Sequence, residues 1–155
     1  MNMKYKLQGN QILEITTIVL DLNGTLAVSG LIPDGVKVRI NQLKKIGIDV
    51  VLFSGDKRGN ARSLADDLGI SFTKSRTAME KEKFFLQYDP KKTAAIGNAR
   101  IDNGKFKHAA VSVGTIQAEG LHTGVLRYVD ILVPSILDAL DLFIDPNSLC
   151  ATLKE

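Results

Sequence analysis

The chain has a single cysteine, Cys150, so no disulfide can form within it, and a reducing cytoplasmic setting is the expectation. Its two histidines, His108 and His122, are too few and too far apart to hold zinc. Aromatic residues make up only 6% of the chain and are not interleaved with basic ones, which leaves no platform for stacking nucleobases. Charge of one sign is also lacking: the formal net charge is +3, and the Lys and Arg are spread along the chain. No apolar run is long enough to span a bilayer. No apolar stretch follows Met1-Asn2-Met3-Lys4-Tyr5-Lys6, so no signal peptide is expected. Nucleic acid and membrane are therefore not expected partners.

What is present is the composition of an ordinary globular protein, with 155 residues forming a single expected domain over 1–155 and enough apolar side chains for a real core. Thr17-Ile18-Val19-Leu20 runs without polar interruption, as a strand buried on both faces does, and then ends in Asp21, Asn23, Gly24 and Thr25. Before it, Met3–Leu7 and Ile12–Thr16 flank a Gly-Asn turn and predict a small hairpin. After it, Pro33 and Asp34 supply helix-start chemistry, and Val36, Ile40 and Leu43 give that helix one apolar face until Gly47. Further strands are predicted at 48–53, 70–73, 93–96, 109–113 and 130–133. Helices are predicted after Gly55, over 77–88 and over 136–143, with a tail after Pro146. Strands that alternate with amphipathic helices predict an α/β fold with a parallel sheet covered on both faces.

Three of these strands end in polar groups: Asp21, then Ser54, then Asn98 with Asp102. In a parallel sheet those ends share one edge, which is where open α/β sheets bind ligands. Two carboxylates with amide and backbone oxygens beside them make a hard-oxygen site suited to Mg²⁺. The Ser54 hydroxyl and the N–H groups after it suit a phosphate, and Lys81 can reach in with a positive charge. Together the parts predict phosphoryl transfer. Each also has a plainer reading: Ser54 as a helix cap, Lys81 as a solvated lysine, Asp102 as an N-cap, Asp56 as a helix-start carboxylate.

Asp21-Leu22-Asn23-Gly24-Thr25-Leu26 resembles the first motif of the haloacid dehalogenase-like (HAD) superfamily. Val51–Arg58, with Gly69-Ile70 ending the next helix, resembles the second motif as it occurs in P-type ATPases. Ala95–Asp102 resembles the fourth. The resemblance implies a Rossmannoid three-layer α/β/α sandwich of the soluble P-type-ATPase-like branch, with a mainly parallel sheet, a small N-terminal hairpin and no cap domain. It further implies a Mg-dependent phosphohydrolase acting on a small phosphorylated molecule, with a homo-oligomer as one way to cover an open site. In that scheme Asp21 is the nucleophile that becomes a phospho-aspartate. The Asn23 carbonyl, Asp102 and the neighbouring Asn98 serve the metal together with Asp21. Ser54 bonds the phosphoryl oxygens and Lys81 pairs with them, with Lys83 as the alternative lysine.

The sequence departs from that pattern where it matters for turnover. Asn23 stands where phosphatases of the superfamily carry a second aspartate, and an amide cannot supply the acid/base step. Ala99 and Ile101 replace the usual glycine and asparagine of the fourth motif. The alternative function is a non-catalytic or sensor protein that binds Mg²⁺ and phosphate or is phosphorylated at Asp21. A receiver-like domain uses similar groups, but its phospho-acceptor ends the third strand rather than the first.

Overall fold

In the computed structural model, residues 3–154 are described; Met1, Asn2 and Glu155, at the ends of the expected 1–155 domain, lie outside the described residues. Strands β1 (Met3–Lys6) and β2 (Ile12–Ile15) form the antiparallel hairpin, with Lys6 opposite Ile12. Only Thr16 separates β2 from β3 (Thr17–Asp21), whose five residues are all buried. The chain continues through α1 (Val36–Lys45), β4 (Asp49–Ser54), α2 (Ala61–Leu68), β5 (Ser71–Lys74), α3 (Ala78–Phe85) and β6 (Thr93–Gly97). It ends with α4 (Asn103–His108), β7 (Val111–Thr115), β8 (Ile131–Val133), α5 (Ile136–Ile144) and α6 (Pro146–Leu153).

Strands β3 to β8 form one six-stranded sheet in the order β5-β4-β3-β6-β7-β8, with every pairing parallel. Because side chains alternate across a strand, each run of apolar residues feeds two cores at once. Ile18, Leu20, Val50, Leu52, Ala94 and Ile96 face the layer of α1, α2, α5 and α6. Val19, Val51, Phe53 and Ala95 face the other layer, where Phe85 of α3 and Phe106 of α4 cover them. This is the expected three-layer α/β/α sandwich. No cap domain is inserted among the described residues. The 22–35 stretch carries only the small bridges Asn23–Ala27 and Val28–Leu31, and six residues separate β4 from α2.

Three elements differ from the sequence expectation. Helix α1 begins at Val36, because Gly35 before it is left-handed with φ 92°. The stretch after Pro146 is a helix rather than a tail, with the Asp145 side chain accepting from Asn147 N–H and proline in its first turn. Helix α4 was not expected, and it places Lys105 in the interior.

The hairpin is tied to the body by Tyr5, which is fully buried and donates its hydroxyl to the Phe143 carbonyl of α5 at 2.6 Å. Its ring meets that of Phe143 edge-on at 6.5 Å. Tyr5→Phe removes only the hydroxyl, and urea denaturation is expected to read a loss of about 1–2 kcal/mol with an unchanged slope.

Candidate active site

Asp21 is the last residue of β3, and its side chain points to the same face as Val19, toward α3 and α4. The chain then turns tightly, with Leu26 N–H donating to the Asp21 carbonyl at 3.2 Å and Ala27 N–H to the Leu22 carbonyl at 2.8 Å. Gly24 sits at φ 73°, and any Cβ there would collide with the Asn98 amide, so only glycine lets this loop lie against the end of β6. Thr25 donates its hydroxyl to Asn98 Oδ1 at 3.3 Å, and Thr115 donates to the Gly24 carbonyl at 3.0 Å.

Lys81 reaches from α3 into the interior. Its ammonium lies 3.1 Å from Asp21 Oδ1 and 3.3 Å from Asp102 Oδ1, and the residue is buried. Lys83, the alternative, is exposed. Asp102 closes the 3₁₀ turn Arg100–Asp102 and folds back on β6; a Cβ on Gly97 would lie 2.5 Å from Asp102 Oδ2. That oxygen accepts from the N–H groups of Asn98 and Ala99 at 3.1 and 3.0 Å. Lys105 of α4, fully buried, lies 3.1 Å from Asp102 Oδ1 and donates to the Ile96 carbonyl at 3.1 Å. Two carboxylates and two ammonium groups thus balance one another below the sheet edge.

Their titration follows from that packing. Burial and the nearby Asp102 carboxylate push Asp21 above the usual carboxylate range, against the opposing pull of Lys81 and Lys105. Burial also works against ionising Asp102, but the Lys105 and Lys81 ammonium groups and the Ala99 N–H outweigh it and hold Asp102 below that range. For Lys81 burial is likewise the largest influence, yet the two carboxylates more than offset it and raise its pKa. For Lys105 burial wins and lowers it.

Above these charges lies a cavity of about 390 Å³ lined by Asp21, Asn23, Ser54 and Lys81 together with Ser75, Arg58 and Arg76. Ser54 is buried, and its Oγ accepts from Asp56 N–H at 3.0 Å. The helix-start role belongs to Asp56, whose Oδ1 accepts from Ala61 N–H at 2.9 Å. Asn98 is buried beside the Gly24 loop, bonded to Thr25 and donating to the Gly120 carbonyl at 2.9 Å. The structure therefore brings Asp21, Asn23, Ser54 and Lys81 to one cavity, whereas Asp102 and Asn98 lie behind its wall. Sequence reasoning missed Lys105, Ser75, Arg58, Arg76 and Glu119, the last also lining the cavity. Lys105 stands three residues beyond Asp102, but nothing in the sequence set it apart from the surface lysines around it.

Whether these residues suit a divalent cation depends on which oxygens remain free. Asp21 Oδ2 has no hydrogen bond or ion pair among the described residues, and the side chain is 12% exposed, toward the cavity. Asp102 has no free position, since two N–H groups and two ammonium groups occupy its oxygens. Among the described residues no group of three or more His, Cys, Asp or Glu could hold a metal ion. The donors left at the cavity are Asp21 and the Asn23 carbonyl, since Asn98 Oδ1 is taken by the Thr25 hydroxyl behind the wall. Such a set suits Mg²⁺, which keeps several waters and takes one carboxylate plus the oxygens of a bound phosphate.

No protein-family profile matches the chain. It is 32% identical over 108 residues to mouse copper-transporting ATPase 2, covering 63% of this chain and 7% of that protein. It is 25% identical over 133 residues to a soluble P-type ATPase-like phosphatase of Methanocaldococcus jannaschii, covering 83% of this chain and 49% of that protein. The chain thus spans half or less of the length of these relatives. Among solved structures, the cobalt-bound deoxy-D-mannose-octulosonate 8-phosphate phosphatase of Haemophilus influenzae superposes with a TM-score of 0.74 at 20% identity, over 90% of this chain and 92% of that one. The fold is that of the haloacid dehalogenase-like superfamily. The sequence likeness runs to P-type ATPases and to a soluble phosphatase resembling them. No helix among the described residues is long and apolar enough to cross a membrane.

Removing one member of the buried charge group leaves another without its partner. Asp102→Ala is expected to cost about 3–5 kcal/mol at pH 7 in chemical denaturation, because it strands Lys105. The folded pKa of Asp102 lies below its unfolded value, so its contribution exists above the unfolded pKa and is lost as pH falls through the folded one. The gap between wild type and variant should therefore narrow on acidification.

Proposed function

We propose that this chain is a Mg²⁺-dependent phosphohydrolase that works through a phospho-aspartate at Asp21 on a small phosphorylated compound. The observation that carries the reading is Lys81, whose ammonium spans Asp21 and Asp102 beneath the cavity that Ser54 also lines. Lys81 holds Asp21 by Oδ1 and leaves Oδ2 without a partner among the described residues, on a side chain that lines the cavity. Likeness to the Haemophilus influenzae and Methanocaldococcus jannaschii phosphatases supports the same class of reaction.

In the first step Asp21 Oδ2 attacks phosphorus, the bond to the leaving oxygen breaks, and an acyl phosphate forms on Asp21. Lys81 and Ser54 stabilise the charge spread over the phosphoryl oxygens. In the second step water attacks that phosphorus, releasing inorganic phosphate and restoring the carboxylate. A divalent cation held by Asp21 and the Asn23 carbonyl would supply charge neutralisation for the phosphoryl oxygens. Since Asp21 and Asp102 are already matched by Lys81 and Lys105, the cation and the phosphate should enter as a mutually neutralising pair.

Asn23 cannot donate a proton to the leaving oxygen or take one from water. Substrates whose leaving group departs without protonation, such as acyl phosphates, are therefore favoured, and hydrolysis of the phospho-aspartate is slow.

With Mg²⁺, the protein is expected to hydrolyse acetyl phosphate faster than p-nitrophenyl phosphate, and Asp21→Asn should abolish both activities. Equal residual rates in wild type and variant would sink the reading. Asn23→Asp should raise phosphatase turnover by roughly 10²–10⁴-fold. A beryllofluoride adduct at Asp21 without any turnover would instead favour the sensor alternative. Mg²⁺ affinity, followed by calorimetry, should increase when inorganic phosphate is present.

A further inference from the structure

The cavity over Asp21 is not symmetric in charge. The strand order β5-β4-β3-β6-β7 puts the loops after β4 and β5 on one side of Asp21 and those after β6 and β7 on the other. Of the residues lining the cavity, the first side contributes Lys57, Arg58 and Arg76 and the second Ala99, Ile101 and Glu119; Arg100, in the loop after β6, is exposed and does not line it. None of the three basic side chains makes an ion pair among the described residues, although Asp56 lines the same cavity. Asp56 is instead engaged at the start of α2. Arg58 leans over the 22–35 stretch, where a Cβ on Gly30 would lie 2.5 Å from its Nη1.

A second observation points to a ligand on that side. Ser75, the residue after β5, is fully buried, lines the cavity, and its hydroxyl has no hydrogen-bond partner. A buried hydroxyl without a partner costs stability, and here it lies beside Arg76 and next to Ser54, whose carbonyl accepts from Ser75 N–H at 2.9 Å. The strand pairing of β4 with β5 therefore sets two serine hydroxyls at adjacent strand ends, one on the Asp21 side and one further out.

We propose that the substrate carries a second acidic group besides its phosphate, held on the β4/β5 side by Arg76, Arg58 and the Ser75 hydroxyl. This deepens the phosphohydrolase reading and rests on it for the placement of the phosphate over Asp21. The second group is a carboxylate or a further phosphate, and a cavity of about 390 Å³ has room for it beside the phosphate over Asp21.

The test is calorimetric titration with 2-phosphoglycolate and with ethyl phosphate, which share the phosphate and differ in the carboxylate. Both are run with Mg²⁺ at low ionic strength. 2-Phosphoglycolate should bind roughly 10- to 100-fold more tightly, the range expected for hydrogen bonds to a charged group. Arg76→Ala should reduce that ratio about tenfold. Lys45→Ala removes the same charge from the exposed last turn of α1, at the opposite edge of the sheet, and should leave the ratio as it was. Ser75→Ala should lower 2-phosphoglycolate affinity without lowering Tm, since the hydroxyl has no partner to lose; a lower Tm with unchanged affinity would remove Ser75 from the subsite. Equal affinities for the two ligands, or a ratio that Arg76→Ala does not move, overturns the proposal. A retained ratio with no hydrolysis of either ligand or of acetyl phosphate overturns the catalytic reading and leaves the subsite standing. Failure of both ligands to bind overturns both. Fructose 1,6-bisphosphate in the same titration separates a carboxylate subsite from a phosphate one.

Discussion

Four charges sit in one buried corner of this protein, and the rest of its chemistry depends on how they cancel. Asp21 comes from β3, Lys81 from α3, and Asp102 and Lys105 from the turn after β6 and the helix α4 that follows it, so three separate stretches of chain supply them. Each is costly to bury alone and tolerable only with its partners in place. The outcome is a nucleophile candidate held by an ammonium group, with one oxygen committed and the other without a partner among the described residues. Asp102 is the keystone of that set. It presents one oxygen to two lysines and the other to two backbone amides, so its ionised form is held in place from all sides.

The sheet delivers these groups through register. Asp21 is aligned with Phe53, and Leu20 with Ile96, so the ends of β3, β4 and β6 are nearly level. Level strand ends make a shallow rim from which the connecting loops rise. The face shared by Asp21 and Val19 is the one covered by α3 and α4, which lets lysines from both helices arrive beneath the rim. Phe53, Phe85 and Phe106 pack below them and exclude water, strengthening the electrostatic interactions they border.

The sequence made most of this architecture readable. Uninterrupted apolar runs mark strands buried on both faces, and β3, β4 and β6 stand within a residue of where those runs place them. Lys81 was legible because it shares a predicted helix face with Phe84, Phe85 and Tyr88 and because a resemblance gave it a role. Lys105 and Ser75 were not legible, and the reason is physical. A lysine in a six-residue helix with a glycine beside it has no amphipathic pattern to place it. A serine after a strand looks the same whether its hydroxyl meets water or a cavity. Helix α6 was missed differently: Asp145 and Pro146 are good helix-start residues, but its weakly apolar stretch gives little sign of a buried face beyond Leu149.

The two sets of charge in this molecule also meet the surrounding electrolyte on different terms. Counter-ions gather around exposed guanidinium and ammonium groups and weaken their reach beyond about a Debye length, whereas pairs sealed from water are shielded far less. Lys57, Arg58 and Arg76 are exposed at the mouth, while Lys105 and Asp102 are fully enclosed. Added electrolyte thus acts on encounter with an anion and hardly at all on the posture of Asp21, so arrival and orientation respond to separate variables.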